Sequence, residues 1–335
     1  MKKIGLLFLS LIQFSCTGEA QKKINGVSVV ASREKIAQNH VDEVIKVYAN
    51  SAAIMPFGFI RDINSPQIIF DTDRQWFGET KRGAKQYIKL LKKNGIAVML
   101  KPQIWVWRGE FTGTIVMNSE AEWKQLEETY DKFILTYAAL AEETKIPVLC
   151  IGTELEKFVE NRPEYWKDLI QRIRTIYKGK LTYAANWDEY KRTPFWGELD
   201  YIGIDAYFPL SESTMPSVEE LKEGWKPWKE KIAEISKTNN KPVLFTEFGY
   251  RSMDYTAKKP WLVDRNDENV NLKAQANATK AIFETFWNET WFAGGYVWKW
   301  FIQHEKSGGE NDNRFTPQNK PAQQIIVDHY KMYEH

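Results

Sequence analysis

From Ile24 onward the chain alternates short apolar, β-branched runs with longer stretches of helical periodicity. The β runs fall at Gly26–Val30, Ala52–Phe57, Ile96–Ile104, Pro147–Ile151, Leu181–Ala185, Tyr201–Ala206, Pro242–Thr246 and Gly295–Trp300. Between them apolar residues recur every three or four positions. Trp123, Leu126, Tyr130, Phe133, Ile134 and Tyr137 form one such set, and Trp166, Leu169, Ile170, Ile173, Ile176 and Tyr177 another. That spacing lays one face of a helix on a core. Lys93-Asn94-Gly95, Lys178-Gly179 and Lys237 to Asn240 supply the basic, Gly- or Asn-terminated endings of helices. Ile146-Pro147 and Lys241-Pro242 then restart extended chain, because proline disfavours helix in the residue before it.

Eight β runs separated by helices, with no short fixed repeat, predict a single (β/α)8 TIM barrel over residues 25–335. The rival is a doubly wound sheet. Its Gly-rich phosphate loop is missing after the first run, which reads Gly26-Val-Ser-Val-Val, so nucleotide binding is disfavoured. Asn64 to Thr80 and Arg251 to Glu268 are long, polar and aromatic, and both follow β runs; they are expected as loops on the functional face.

The start of the chain follows a different pattern. Lys2 and Lys3 precede an apolar stretch from Ile4 to Phe14, too short for a membrane anchor and shaped like a secretory signal. Ser15-Cys16 at its end resembles a bacterial lipoprotein signal, giving an expected signal peptide over 1–16 and a polar tether over 17–24. Export to the cell envelope with a lipid on Cys16 is the expectation, and plain secretion with an incidental Cys the alternative.

Composition narrows the function. Lys+Arg is 46 against Asp+Glu 44, too balanced for a nucleic-acid binder. Two Cys make neither a disulfide framework nor a Cys-rich metal site, and the four His lack metal spacing. Gly308 to Asn313 is rich in oxygen ligands but lacks the Gly and Glu positions of an EF-hand loop, so no metal or other cofactor is expected. Trp 14, Tyr 15 and Phe 18 make 14% of the chain aromatic, and their placement matters more than their number. Trp123, Trp166 and Trp287 lie on helical patterns and read as core. Trp105, Trp107, Trp187, Trp261, Trp298 and Trp300 lie at or beyond β-run ends, where planar rings can stack on the apolar faces of sugars.

In a barrel, chemistry collects at the C-terminal ends of strands. The fourth run stops at Glu154 and the seventh at Glu247. Lys101, Gln103 and Trp105 close the third, Asn186 and Trp187 the fifth, Asp205 and Tyr207 the sixth, and Trp298 to Trp300 the eighth. Period-two alternation groups Cys150, Gly152 and Glu154 on one face, Val243, Phe245 and Glu247 on another, and Tyr296 and Trp298 on a third, with Trp300 if the strand runs that far. Two carboxyl groups at one barrel mouth meet the needs of glycoside hydrolysis: one protonates the leaving oxygen, the other attacks the anomeric carbon or activates water. Cys150 reads as an inert buried thiol, with no His at comparable strand ends to activate it. His304, just past the eighth run, reads as a surface residue by default.

The pieces Ile151-Gly-Thr-Glu154, Asp205-Ala-Tyr207, Phe245-Thr-Glu-Phe-Gly-Tyr-Arg251, Val297-Trp-Lys-Trp300 and Phe315 to Ala322 are similar to glycoside hydrolase family 113 of clan A, whose characterised members are β-1,4-mannanases. The resemblance implies a retaining double displacement, with Glu154 as acid/base, Glu247 as nucleophile about 5–5.5 Å away, and Tyr207 orienting Glu247. It implies Trp298 as the floor under the reacting sugar. Much of the clan has Asn immediately before the acid/base to contact the sugar 2-hydroxyl; Thr153 stands there, leaving Asn186 or Lys101 as candidates. Asp205, Trp187, Trp300 and Trp105 complete the expected substrate-binding set. The expected partner is a polysaccharide or oligosaccharide, most simply β-1,4-mannan. Alternatives are a β-glucan or galactan substrate, or a non-catalytic glycan-binding lipoprotein on the same barrel.

Overall fold

The computed structural model describes residues 22–262 and 269–333. Eight parallel strands close a barrel: β1 (Ile24–Val29), β2 (Ser51–Ile54), β3 (Ala97–Leu100), β4 (Val148–Thr153), β5 (Lys180–Asn186), β6 (Ile202–Asp205), β7 (Val243–Phe248) and β8 (Phe292–Trp300). Each pairs with its neighbour in sequence, and β8 closes on β1. Around them lie α1 (Gln38–Lys46), α2 (Lys81–Lys93), α3 (Glu120–Thr144), α4 (Glu156–Asn161), α5 (Pro163–Ile176), α6 (Val218–Asn239), α7 (Leu272–Phe286) and α8 (Pro321–Met332). This is the (β/α)8 barrel that the alternation predicts. β1 starts within the expected tether, and Lys23 already binds Glu289 O through its ammonium at 2.6 Å. The signal segment and Cys16 lie outside the described residues, as do residues 263–268 of the second long loop.

Local chemistry sets the helix ends. Ser119 and Ser217 accept the backbone N–H of Glu122 and Glu220 at 3.3 and 3.1 Å, capping α3 and α6. Lys145 and Asn240 end the same helices, each in the left-handed region at φ 50°. Alternation along the strands then divides the apolar residues into two cores. Ala53, Met99, Val148, Cys150, Leu244 and Tyr296 fill the barrel interior. Trp166, Trp225, Trp287 and Phe133 pack with many others between strands and helices. Each such fully buried large side chain contributes roughly 1.5–3 kcal/mol.

The second and third β runs are each two strands. Pro56 and Pro102 have no N–H to give a ladder, and each run breaks there. Beyond the breaks, Phe57–Ile60 and Gln103–Val106 pair in parallel, and Ile69–Phe70 adds to the first as an antiparallel edge. Part of Asn64 to Thr80 is therefore sheet, standing above the barrel on the β2–β3 side.

Simple alternation fails at three strand tips, and each failure bears on the site. On β7, Phe245 pairs with Ile204 but Glu247 pairs with Asp205, one residue too many. Leu244 and Thr246 face inward, Val243 and Phe245 outward, and the bulge turns Glu247 inward as well. Glu247 thus shares no face with Val243 and Phe245. On β4, Cys150 pairs with Thr182 and Thr153 with Ala184, again with one residue extra. A Cβ on Gly152 would meet Trp166, Tyr183 and Tyr130 at 2.9–3.0 Å, so that position faces the helices, not the side Cys150 faces. On β8, Val27 pairs with Val297 but Val29 with Trp300. That shift sends Trp300 outward into the helix-side core, away from Tyr296.

Candidate active site

β3 delivers Lys101 to the interior, on the side of Met99. Its side chain is 0% exposed. The ammonium lies 2.5 Å from Glu247 Oε1 and 3.1 Å from each oxygen of Asp205. Gln103 Nε2 donates to the same Glu247 oxygen at 3.0 Å, and the Tyr207 hydroxyl donates to Oε2 at 2.8 Å. Thr246 donates to Asp205 at 2.7 Å. Three donors on Glu247 are the surroundings of a carboxylate, which only accepts.

Buried charges are costly unless paired and hydrogen-bonded, and this group satisfies both conditions. Burial pulls the Lys101 ammonium down, but Asp205 and Glu247 outweigh it and hold it above its ordinary value. Burial pushes Asp205 up to about 7, with the charge of Glu247 adding and Lys101 opposing. Asp205 has its oxygens occupied by Lys101 and Thr246 and is buried, so it lies beneath the site as a support and not against a substrate. Lys101 is likewise engaged by carboxylates and is no free partner for a sugar hydroxyl.

Glu154 is built differently. It has φ 49°, in the left-handed region, and its N–H donates to Ala184 O at 2.8 Å. Among the described residues no donor surrounds it as donors surround Glu247. Burial raises its pKa well above the ordinary range, the charges of Asp205 and Glu247 raise it further, and Lys101 opposes only in part. One carboxyl thus has surroundings that favour its protonated form and the other is gripped by three donors, a contrast that could serve an acid and a nucleophile.

The aromatic residues sort by exposure. Trp105 and Trp107 are 49% and 66% exposed, on and just past the Gln103–Val106 strand. Trp187 is half-buried and stacks on Trp261, ring centres 4.9 Å apart. Trp298 is half-buried at the tip of β8, and glycine at position 249 makes room for its carbonyl, which a Cβ would meet at 2.4 Å. Trp300 is 1% exposed and does not reach the mouth. Asn186 pairs in register with Asp205, and its side-chain oxygen accepts Trp187 N–H at 2.8 Å. His304 is taken up by Gln318, 2.9 Å away, outside the cluster. Burial pushes the Cys150 thiol up to about 11, unlike an activated nucleophile. Gln103 and Thr246 were not assigned roles by sequence. Both flank assigned residues, Gln103 two positions after Lys101 on the same face and Thr246 next to Glu247.

A (β/α)8 barrel with two carboxyl groups in contrasting surroundings at its C-terminal mouth has the layout of an enzyme capable of acid–base and nucleophilic chemistry. The description Glycoside Hydrolase Family 113 matches residues 30–320, and the chain belongs to that family; it is a glycoside hydrolase with a carbohydrate substrate. This sets aside the non-catalytic glycan binder. Among solved structures it is similar to the GH113 β-mannanase AaManA from Alicyclobacillus acidocaldarius, solved in complex with ManMIm, with TM-score 0.80 and 22% identity over 93% of this chain and 98% of that one. A GH113 β-1,4-mannanase matches with TM-score 0.78 and 20% identity, covering 92% and 99% of the two chains. The β-glucuronidase of Ruminococcus gnavus matches at TM-score 0.63 and 12% identity, over 93% of this chain and 52% of its own. At these identities the structures establish the fold. No curated protein matches the chain in sequence.

Proposed function

We propose that the chain is a retaining glycosidase cleaving β-1,4-mannosidic linkages in mannan or manno-oligosaccharides. The observation that carries the mechanism is the contrast between Glu154, whose carboxyl has burial and two neighbouring acidic charges favouring its proton, and Glu247, encircled by Lys101, Gln103 and Tyr207. Glu247 attacks the anomeric carbon while Glu154 protonates the departing glycosidic oxygen, leaving a glycosyl-enzyme ester. Esterification removes the charge of Glu247. That charge is one of those that hold Glu154 up, so its loss stabilises the carboxylate left on Glu154 after it has given its proton away, and that carboxylate takes a proton from the incoming water as the base. Trp298 forms the floor of the reacting subsite. Asn186 is the candidate partner of the 2-hydroxyl, and Trp187 and Trp105 are candidates for stacking on further sugars. The mannan assignment is supported by the GH113 mannanases similar to this chain.

Release of reducing ends from mannan and β-1,4-manno-oligosaccharides, with the anomer followed by NMR, tests this reading. Full activity in Glu247→Ala or Glu154→Ala sinks the mechanism, and an inverted product sinks retention. Cleavage of a β-glucan or galactan in preference to mannan moves the substrate and keeps the chemistry. We also infer, from residues 1–16 alone, export with lipidation at Cys16. Palmitate labelling of the full chain in a bacterial host, lost in Cys16→Ser, tests it, and unlabelled wild-type protein refutes it.

A further inference from the structure

The turn that carries Glu154 is held from behind by two buried side chains that take no part in the chemistry above. Leu155 N–H, the residue after Glu154, donates to the Tyr183 hydroxyl at 2.7 Å. That hydroxyl donates to Glu189 Oε1 at 2.6 Å. The other Glu189 oxygen accepts Asn186 N–H at 3.0 Å. Glu189 is only 2% exposed, and among the described residues no Lys, Arg or His forms an ion pair with it. Arg192, its near neighbour in sequence, spends its guanidinium on Glu156 and Asp188 O. The Tyr183 ring is clamped edge-on by Trp166 and Phe195, with centres 5.7 and 5.5 Å away, which fixes where its hydroxyl points.

A buried carboxyl without a cation is an expensive way to fill space. This one ties two strand tips together: the β4 turn with Glu154, and the end of β5 with Asn186 and Trp187. The backbone of Glu154 is pinned on both sides by β5, through Ala184 O before it and Tyr183 after it. We propose that Glu189, acting through Tyr183, is a positioning residue for Glu154, fixing the left-handed turn that aims its carboxyl at the glycosidic oxygen. This rests on the reading of Glu154 as the acid/base.

The test separates substrates by their need for a proton. Glycosides of the sugar that the wild type cleaves are compared with either a sugar or 2,4-dinitrophenolate as leaving group, reading kcat/KM, which reports the glycosylation half only. Tyr183→Phe removes the acceptor of Leu155 N–H; Glu189→Gln keeps the shape and alters the hydrogen bonding. Both should lose about 10- to 100-fold on the sugar leaving group and under about threefold on dinitrophenolate, since misplacement of a catalytic group costs what that group supplies. Cooperative thermal unfolding of each variant is checked alongside, and should Tyr183→Phe not fold, Glu189→Gln decides. Equal losses on both substrates, or no loss, overturn the positioning role. Glu154→Gln runs beside them: a split there with none in the other two overturns this proposal alone, whereas no split in Glu154→Gln overturns the acid/base reading and the proposal together.

Discussion

The tips of β4 and β7 solve one geometric problem by different means. Both strands carry an extra residue that brings a glutamate to the mouth. At β7 the backbone stays extended and the side chain is immobilised: Lys101, Gln103 and Tyr207 all grip Glu247. At β4 the grip is on the backbone, through Ala184 O and Tyr183, while burial and neighbouring charges act on the carboxyl. A nucleophile must keep its place and its charge, so side-chain donors suit it. An acid that later becomes a base must change its protonation, so a carboxyl without fixed donors suits it better.

The comparison can be broken most severely at β7. Glu247→Ala should lower kcat by at least about four orders of magnitude, as expected when a covalent nucleophile is removed, and stopped-flow or long-incubation assays on the cleaved glycan check it. Glu154→Ala should cost less, about 10²- to 10⁴-fold, the range of one general acid. Added azide, a nucleophile needing no base, should recover turnover of an activated substrate in that variant and give a glycosyl azide of retained configuration. Lys101→Met leaves Asp205 and Glu247 facing each other without a cation. Breaking such a buried pair costs about 3–5 kcal/mol, to be read by urea unfolding, together with a large fall in kcat.

A finer test uses pH. With Glu154 as the proposed acid, kcat/KM should fall as pH rises through its raised pKa. The charge of Asp205 is among those that help Glu154 retain its proton. Asp205→Asn should therefore move the alkaline limb to lower pH, and an unmoved or rising limb contradicts the electrostatic account. The smallest effects on catalysis come from the aromatic residues. Trp300→Ala should destabilise by about 3–5 kcal/mol through the cavity left in the core. Trp105→Ala should change stability by less than about 0.5 kcal/mol and raise KM for the longer oligosaccharides, as calorimetry and kinetics would show.

How far the sequence carried the reading follows from which signals are local. The eight strands, the two helices with clear apolar stripes and the carboxylates ending their runs were legible, because periodicity and punctuation are properties of neighbouring residues. The family followed from short motifs around those carboxylates. The orientation of side chains at the tips was not legible. Period-two counting put Glu247 with Phe245 and Trp300 with Tyr296, and both pairings fail because bulges are fixed by a strand's partners, not by its own residues. The same blindness hid the breaks at Pro56 and Pro102 behind continuous apolar runs. It also assigned Asp205 and Lys101 to the substrate, when Lys101 is held by Asp205 and Glu247, and Asp205 by Lys101 and Thr246. Tyr183 and Glu189 gave no signal, since a tyrosine inside an apolar strand and a glutamate in a turn look ordinary until their hydroxyl and carboxyl meet.

The extra residue on β7 also sets a depth. Without Thr246, the strand would run in regular register, and the glutamate would still face inward, because the position after Phe245 does so already. It would sit about 3.3 Å lower in the barrel, one strand residue, where the Thr246 hydroxyl now meets Asp205. There the carboxylate would crowd Asp205 and fall short of the sugar. Sidedness can be had from alternation alone; reach into the mouth comes from a strand one residue longer than its neighbours need.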